Sequence, residues 1–379
     1  ESNRQVHESL VLPKDAQNHS LSGRLKHYSF ENAEGLIQKM QQYSSLYADE
    51  NRFKKQTSPA QALLHGGVSF IKNYFLKRGF AYGSEGLTIS VANAQGSYYK
   101  YVKLHERNQN LKVSLIITTY NRPDALAFVL QSALSQTRLP DEIIVADDGS
   151  TRETADVIQY VNRQSPVPVK HSWRPDDGFR AAESRNRALA MAKGDYIVLI
   201  DGDMLLDASF IADHLKLALK GRLVQGSRVI LTEKRTREIL ASDQLPNLSV
   251  FDSGIEKRLS ALRCRCLSAL VGKNGSQNHR GIKTCNMSFF REDALAVNGF
   301  NNWFVGWGRE DSEFVARCYH NGMKRHNLKF AGIAYHLWHH EAERDALPQN
   351  DALLKHTLET QQIRCESGVN MFLKKNTIS

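Results

Sequence analysis

The chain has 379 residues, of which 41% are hydrophobic and 24% charged, and this composition excludes a disordered protein. No apolar run reaches the length of about 18–20 residues that a membrane span requires. The five cysteines form no C-x-x-C pair, which argues against a disulfide framework or a structural zinc site and favours a reducing compartment. The net charge of +10 suggests anionic partners of some kind: a membrane surface, nucleic acid or phosphorylated small molecules.

The first 110 residues carry much of this charge and are predicted to be mostly helical, with 14 Lys or Arg against 9 Asp or Glu. Within them, residues 68–82 place large apolar side chains near one helical face, with basic residues among them. The apolar residues are Val68, Ile71, Phe75 and Tyr82, and the basic ones are Lys72, Lys77 and Arg78. Such a face suits a bilayer interface, and it suits equally well packing against a neighbouring domain.

From residue 113 onward, strands and helices alternate. The predicted strands are 113–119, 142–146, 167–171 and 195–200, and the predicted helices are 124–135, 151–163 and 180–193. This alternation predicts an α/β fold, a Rossmann-like and mainly parallel sheet with flanking helices. Ligands bind beyond the carboxyl ends of such strands, where three polar segments should meet. These segments are Thr118–Arg122, Asp147-Asp148 and Asp201-Gly202-Asp203.

The second half of the chain is less regular. Residues 232–282 are polar and basic, and they predict a long flexible loop. After that loop we expect strands at 284–290 and 329–335, the latter ending at His336, and helices at 310–321 and 350–373.

Asp201 and Asp203 follow a buried strand with only a glycine between them. Two carboxylates at this spacing can turn toward one point, and hard oxygen ligands suit Mg²⁺ or Mn²⁺, which can bridge a diphosphate. The alternative is an ordinary surface turn, because D-G-D is also a common turn sequence.

Two further residues could contact a nucleotide. Asp148 could accept a hydrogen bond from the imide N–H of uracil, or it could instead form an Asx-turn or cap a helix. Arg180, early in the third predicted helix of this part, could reach a phosphate, or it could be a solvated helix residue.

Three stretches, in this order and spacing, resemble the large inverting family of nucleotide-sugar glycosyltransferases with the GT-A fold. They are VSLIITTYNRPDAL (113–126), EIIVADDGSTRET (142–154) and ESRNRALAMAKGDYIVLIDGDM (183–204). The resemblance implies that Asp201 would hold the ribose or the metal, Asp203 would bind the metal, and Arg180 would contact the diphosphate. It also implies a nucleoside pocket lined by Thr118, Tyr120, Arg122 and Asp148.

The stretch WFVGWGREDSEF (303–314) combines indole rings with carboxylates around two glycines. An inverting transfer needs a base for the acceptor hydroxyl and flat apolar faces for sugar rings, and this stretch supplies both. The alternative is a buried tryptophan cluster with an acid pair at a helix N-terminus. Together with GIKTCNMSFFRED (281–293), the stretch resembles galactosyltransferase-like enzymes and chondroitin-type polymerases. That resemblance implies Asp311 as catalytic base, with acceptor binding by Glu310, Trp303 and Trp307.

AYHLWHHEAE (334–343) places three histidines after a late strand. In the same families a histidine at this point completes the metal site, and imidazole suits Mn²⁺ as a third protein ligand. His336, directly at the predicted strand end, fits this position best, with His339 as the second choice.

The N-terminal part resembles something else. LSGRLKHYSF (21–30), SFIKNYFLKRGFAYGSEG (69–86) and YYKYVKL (98–104) are similar to the C-terminal tail of lipopolysaccharide-core glycosyltransferases, and VHESL (6–10) to the end of their catalytic part. The resemblance implies that residues 1–110 are the tail of another transferase type. With the first methionine only at Met40, we expect the chain to be a fragment.

These features predict an inverting, metal-dependent enzyme that moves a sugar from a UDP-sugar to a bacterial surface glycan such as lipopolysaccharide or capsule, in the cytoplasm at the inner membrane. Its domain, 111–379, would comprise a nucleotide-sugar part (111–231), the loop (232–282), an acceptor and catalytic part (283–345) and a C-terminal helix (346–379). One alternative is an inactive carbohydrate-binding or scaffolding module with the same fold. A nucleic-acid binder is disfavoured because the chain has no clustered aromatic–basic motif of a known type.

Overall fold

The computed structural model describes residues 32–271, 275–340 and 343–373. The stretches VHESL (6–10) and LSGRLKHYSF (21–30) lie outside the described residues. The chain divides into two compact units, with the division between Leu111 and Lys112. Within the described ranges, no helix is both long and apolar enough to cross a membrane.

The N-terminal unit is mostly helical in its described part, as predicted. It contains α1 (Ala33–Asn51), α2 (Pro59–Ile71) and α3 (Gly83–Gln109). Helix α2 begins with a capping box, in which the Ser58 hydroxyl accepts from the Gln61 amide and the Gln61 side chain accepts from the Ser58 amide. Pro59 at the first helical position needs no hydrogen-bond partner for its nitrogen, so the start of this helix is sharply defined.

The second unit contains nine helices and eleven strands within its described residues. In chain order its first half consists of β1 (Val113–Thr119), α4 (Pro123–Leu134), β2 (Glu142–Asp147), α5 (Arg152–Gln164), β3 (Val169–Trp173), α6 (Ala181–Met191) and β4 (Tyr196–Asp201). Its second half consists of β5 (Met204–Leu206), α7 (Phe210–Leu215), β6 (Arg222–Gly226), β7 (Arg228–Leu231), α8 (Glu233–Leu240), β8 (Ile255–Glu256), α9 (Arg265–Val271), β9 (Asn286–Phe290), α10 (Arg291–Ala296), α11 (Glu310–His320), β10 (Lys324–Leu328), β11 (Ala334–His336) and α12 (Leu347–Glu359).

The main sheet has seven strands in the order β10-β6-β9-β4-β1-β2-β3. It is mainly parallel, and only β9 runs antiparallel to its two neighbours. The predicted α/β architecture is therefore confirmed. The register pairs Thr118 with Asp201 and Thr119 with Asp147, so the polar ends of three strands lie side by side at one edge of the sheet.

A second, four-stranded sheet has the order β5-β11-β7-β8. Strand β5 begins directly after the D-G-D turn and pairs antiparallel with β11, and the register places His336 opposite Met204. This pairing brings the end of a late strand next to Asp203, which is far away in sequence.

The helix that begins at Glu310 is anchored by an aromatic contact in the core. Phe314 of α11 stacks on Phe300 with ring centroids 4.3 Å apart, and it also contacts Phe289 of β9. All three rings are fully buried. Because such cores are closely packed, the acidic first turn of α11 is held at a fixed position relative to the sheet.

Three predictions about the second half need correction. The described part of 232–282 is not one long loop: it contains α8, β8 and α9, and α8 is a short polar helix that buries Thr236 and Ile239. The predicted strand at 329–335 is in fact the end of a turn followed by β11, because Phe330 and Gly332 adopt positive φ angles and interrupt the extended chain. The helix predicted for 350–373 ends at Glu359.

Candidate active site

Asp203, His336 and His339 form a cluster that could hold a metal ion. One ligand atom from each lies within 4.8 Å of the others. The Asp203 Oδ2 atom is 3.1 Å from His339 Nε2 and 3.6 Å from His336 Nε2. The other oxygen of Asp203, Oδ1, is buried and has no hydrogen-bond partner among the described residues. An unsatisfied buried carboxylate oxygen is costly, and a divalent cation would satisfy it.

The charge states of Asp203 and His336 suit a cation. Burial works to raise the pKa of Asp203, but the hydrogen bond from His339 and the neighbouring imidazoles lower it below its usual value. Burial lowers the pKa of His336. The hydrogen bond to Asp203 raises the pKa of His339. An ionised carboxylate and a neutral imidazole are the forms that bind a metal.

The local backbone holds these three residues together. The Gly202 amide donates to the Thr118 carbonyl (2.7 Å), and the Leu337 amide donates to the Asp203 carbonyl (2.9 Å). A Cβ atom at position 202 would lie 2.9 Å from Thr119 Oγ1, so the turn has room only for glycine. The amide of Trp338, between the two histidines, donates to the Thr236 hydroxyl of α8 at 2.8 Å.

Arg185 of α6 joins the strand edge to the start of α11. Its guanidinium donates to Glu310 (2.9 Å) and to Thr118 Oγ1 (3.2 Å) and pairs with Asp201 (3.4 Å). Burial raises the pKa of Asp201 to about 6, an effect that Arg185 opposes and that the Asp203 charge reinforces. Glu310, predicted to bind the acceptor, is thus an ion-pair partner of Arg185.

Asp311 is half-buried in the first turn of α11. Its Oδ1 atom accepts hydrogen bonds from the amide and the hydroxyl of Ser312. Burial and the charge of Glu310 raise the pKa of Asp311 to about 7. Burial and like charge therefore outweigh the effect of the helix dipole on this carboxyl group.

Asp148 is buried and already has three donors. Its Oδ1 atom accepts from Arg174 (3.0 Å) and Ser184 (2.7 Å), and its Oδ2 atom accepts from the Arg180 amide (2.8 Å). Burial raises its pKa in spite of these hydrogen bonds. Because Oδ2 has this one partner among the described residues, it retains acceptor capacity for a ligand N–H.

The other residues predicted for the nucleoside pocket lie around the same edge. The Tyr120 hydroxyl donates to Asp176 at 3.0 Å, and half of the ring is exposed. Arg122 lies 3.7 Å from Asp124. The side chain of Arg180 forms an ion pair with Asp177 at 2.8 Å, while its backbone amide holds Asp148.

Trp303 and Trp307 are 53% and 39% exposed, so the stretch 303–314 is not a buried tryptophan cluster. Arg344 lies over the Trp307 ring with its Cζ atom 5.0 Å from the centroid. Trp307 also lines an open cavity of about 400 Å³. The cavity is lined by Phe179, Gly306, Trp307, Glu343, Asp345 and Ala346.

Comparison with known families agrees with this geometry. Residues 114–270 match the family model described as glycosyl transferase family 2, and residues 269–340 match the model described as the N-terminal domain of galactosyltransferase. The two matches together span residues 114–340 of this chain. The first match includes Asp148, Arg185 and Asp203, and the second includes Asp311 and His336.

Three curated relatives of this chain come from bacteria. The hyaluronan synthase of Pasteurella multocida is 28% identical over 241 residues, which are 59% of this chain and 24% of that protein. The chondroitin synthase of Escherichia coli is 25% identical over 242 residues, or 59% of this chain and 34% of that protein. The UDP-Glc:alpha-D-GlcNAc-diphosphoundecaprenol beta-1,3-glucosyltransferase WfaP of Escherichia coli is 41% identical over 91 residues, or 24% of this chain and 35% of that protein. The matched regions thus span only about a quarter to a third of these relatives.

Among solved structures, residues 1–349 of S. aureus TarS in complex with UDP align with a TM-score of 0.47 and 14% identity, over 69% of this chain and 68% of that chain.

Two parts of the candidate site were not found by sequence reasoning. Arg185 lies in the quoted stretch 183–204, but nothing in a helical sequence indicates that its guanidinium bridges two carboxylates 16 and 125 residues away. Thr236 lies in the segment predicted to be a loop. Neither residue has a sequence signal of its own, because each lies among polar or charged neighbours.

Proposed function

We propose that this chain is an inverting, metal-dependent glycosyltransferase that moves a sugar from a UDP-sugar to a glycan of the bacterial surface. The observation that carries the proposal is the position of the cluster Asp203–His336–His339 at the same sheet edge as Asp201. Arg185 links that edge to the acidic start of α11, where Asp311 lies.

The residues present fit a divalent cation. One carboxylate, whose second oxygen is buried and unsatisfied, and two imidazoles form a mixed O/N ligand set, which suits Mn²⁺ better than Mg²⁺. Asp203 and His336 would hold the ion, with His339 as a further ligand. When bound, such an ion neutralises charge on the diphosphate of the donor.

The donor would lie along the carboxyl ends of β1, β2 and β4. Asp148 Oδ2 can accept from the imide N–H of uracil, and Tyr120 and Arg122 flank the same edge. Arg185 supplies positive charge at Asp201, where the ribose would lie, and Arg180 would contact the diphosphate. The choice of uridine is supported by Asp148 and by a relative whose printed name includes UDP-Glc.

Asp311 would act as the base. Its carboxylate would take the proton of the attacking acceptor hydroxyl as the new bond forms at the anomeric carbon. The bond from that carbon to the diphosphate oxygen breaks at the same time, and UDP leaves from the opposite face, which inverts the configuration. A pKa of about 7 matches this task, because a base with a pKa near the operating pH works most effectively.

The acceptor would approach from the side of α11. Trp303 and Trp307 offer exposed indole faces on which sugar rings can stack, and Glu310 would bind or orient an acceptor hydroxyl while paired with Arg185. Because relatives carry names of capsule-type polysaccharide synthases and of a diphosphoundecaprenol-linked transferase, we propose a lipopolysaccharide or capsule precursor as acceptor. This acceptor would place the protein in the cytoplasm at the inner face of the inner membrane. Residues 1–110 would be the tail of another transferase type and take no part in the chemistry.

Mn²⁺ binding tests the proposal independently of turnover. Calorimetric titration of the chain with Mn²⁺ in the presence of UDP should show one site, which Asp203→Asn and His336→Gln each abolish and the exposed control Asp243→Asn retains. Transfer from UDP-sugars should stop in a chelator and return when Mn²⁺ is restored. Full activity in the chelator, or Mn²⁺ binding unchanged in Asp203→Asn, would contradict the proposal.

A further inference from the structure

Helices α2 and α3 form a hairpin with an unusual end. Between them, residues Lys72–Leu76 form a π-helical turn and Gly79–Tyr82 a 3-10 turn. Arg78 and Gly83 adopt positive φ angles of 59° and 58°, which reverse the chain tightly. We call residues 64–87 the hairpin tip.

The two helices of the hairpin contact each other through small residues. The buried residues are Ala62 and Gly66 of α2 and Gly86, Ser90, Ala92 and Leu104 of α3, and Leu104, the one large side chain among them, lies outside the tip. A Cβ atom at Gly86 would collide with the carbonyl oxygen of Gly79, so the backbones approach closely at the tip. Small residues at a helix contact are typical of helices that pack in lipid.

The large apolar side chains of the tip lie on the outside. Leu64, Val68, Ile71 and Phe75 follow at spacings of four, three and four residues, which is one face of a helix, and all four are more than half exposed. Leu76, Phe80 and Tyr82 continue this surface, with Leu76 76% exposed. A water-soluble hairpin normally has the opposite pattern, with large apolar residues inside. An exposed apolar patch of this extent marks an interaction surface.

The charges around the patch indicate what the surface contacts. Lys72, Lys77 and Arg78 are exposed among the apolar residues, and Glu85 is the one acidic residue between 64 and 87. Aromatic and aliphatic side chains flanked by cations suit the boundary between lipid headgroups and acyl chains. Anionic phospholipids attract such cations within a Debye length of the surface.

We propose that the hairpin tip inserts into one leaflet of an anionic phospholipid bilayer and anchors the chain at that surface. Neither α2 nor α3 is long and apolar enough to cross a membrane, so the insertion is interfacial. This inference goes beyond the proposed transfer reaction and requires no turnover. It names lipid headgroups, rather than a second protein, as the partner of this surface.

Flotation of the full chain with vesicles tests the apolar contribution. Vesicles of phosphatidylglycerol and phosphatidylcholine should carry the chain, and the double variant Phe75→Ser/Leu76→Ser should bind at least about tenfold more weakly, because two large apolar side chains lose their burial in lipid. The control Phe251→Ser/Leu259→Ser changes the same residue types, 87% and 78% exposed, in the other unit. It should bind as the unchanged chain does.

A second series tests the charge contribution. The triple variant Lys72→Gln/Lys77→Gln/Arg78→Gln should weaken binding to phosphatidylglycerol vesicles by about fivefold for each cation removed. The control Arg152→Gln/Arg237→Gln/Lys355→Gln removes the same charge from exposed positions of the other unit and should leave binding nearly unchanged. Vesicles of phosphatidylcholine alone should bind the unchanged chain weakly.

Three outcomes would overturn the inference. The first is that the unchanged chain does not float with phosphatidylglycerol vesicles. The second is that tip variants and control variants bind alike. The third is that light scattering shows a dimer that Phe75→Ser/Leu76→Ser dissociates while lipid binding stays the same, which would assign the surface to a second copy of the chain. Transfer to a soluble acceptor, measured on the same variants, should not change, so failure here is distinguishable from failure of the proposed function.

Discussion

Arg185 connects two residues to which we assign different substrates. Asp201 lies at the donor edge of the sheet and Glu310 at the acceptor side, and one guanidinium binds both. Arg185 is itself buried, and the planar fork of its guanidinium makes such bridging possible, which a lysine could not reproduce. We therefore expect Arg185 to fix the relative position of the two substrates and also to stabilise the fold.

Replacing Arg185 by Gln should destabilise the fold. The change leaves Asp201 and Glu310 without their shared cation, and loss of one partner of a buried ion pair costs about 3 kcal/mol. Urea denaturation measures this change in the free energy of unfolding. Arg152→Gln, at an exposed position, should change it by less than about 0.5 kcal/mol. Equal effects of the two substitutions would show that the bridge carries no stability.

Asp311→Asn should lower kcat by about 10²–10⁴-fold, because a positioned base contributes that much. The KM for the donor should stay close to that of the unchanged enzyme, since the base acts only on the acceptor proton. Glu310→Gln should mainly raise the acceptor KM. Steady-state kinetics with both substrates varied separates these effects, and a near-normal kcat in Asp311→Asn with a collapse in Glu310→Gln would reverse the two roles.

The raised pKa of Asp311 also predicts how stability depends on pH. The folded chain holds this proton more tightly than the unfolded chain, so the stabilising contribution is complete at low pH and is lost as pH rises through about 7. Asp311→Asn cannot lose a proton. Its melting temperature should therefore exceed that of the unchanged chain at pH 8, by a margin that shrinks toward pH 5. For the exposed control Asp243→Asn, we expect a difference in melting temperature that does not depend on pH. The same behaviour in Asp311→Asn would argue against the raised pKa of Asp311.

At the scale of elements, the site depends on short segments. Strand β5, three residues long, begins one residue after Asp203 and pairs with β11, which ends at His336. Helix α8 then holds the following turn through Thr236. These contacts join segments about 100 residues or more apart in the chain.

How far the sequence predicts this arrangement differs between the two sides of the site. The convergence of Thr118, Asp147 and Asp201 follows from three apolar strands and the geometry of parallel sheets, and it was predicted. The bridge by Arg185 could not be predicted from the sequence, because helical periodicity shows which residues share a face but not which residues that face contacts. Helix α8 was missed because it buries only two residues, too few for a clear apolar pattern.

Thr236→Val should weaken Mn²⁺ binding without unfolding the chain. The substitution keeps the side-chain shape but removes the hydroxyl that accepts from the Trp338 amide, so the turn between the two histidines loses its support. Residues that orient metal ligands typically contribute about 10–100-fold in affinity. Calorimetric titration measures this loss. Thr154→Val is the matched control, because Thr154 is equally buried and its hydroxyl has no hydrogen-bond partner among the described residues.

At the scale of the whole molecule, the residues assigned to the reaction and the surface assigned to membrane binding lie in different parts of the chain. All the residues that we assign to the reaction lie after the division at Leu111, while the exposed apolar and basic hairpin tip lies before it. If the acceptor is carried on a lipid, the transfer reaction and the binding of the hairpin tip would take place at the same membrane surface. The surplus of basic residues in 1–110 is consistent with this arrangement, because it places positive charge in the part that we expect at the membrane.

The stereochemistry of transfer tests the central claim most directly. The chain, Mn²⁺ and a panel of UDP-sugars are combined with lipid-linked and soluble glycan acceptors, and the anomeric configuration of the product is read by NMR. We predict that one α-linked UDP-sugar yields a β-linked product, that the reaction stops in a chelator, and that Asp311→Asn slows it by at least about 10²-fold while UDP binding persists. An α-linked product, or turnover that survives both the chelator and Asp311→Asn, would contradict the account.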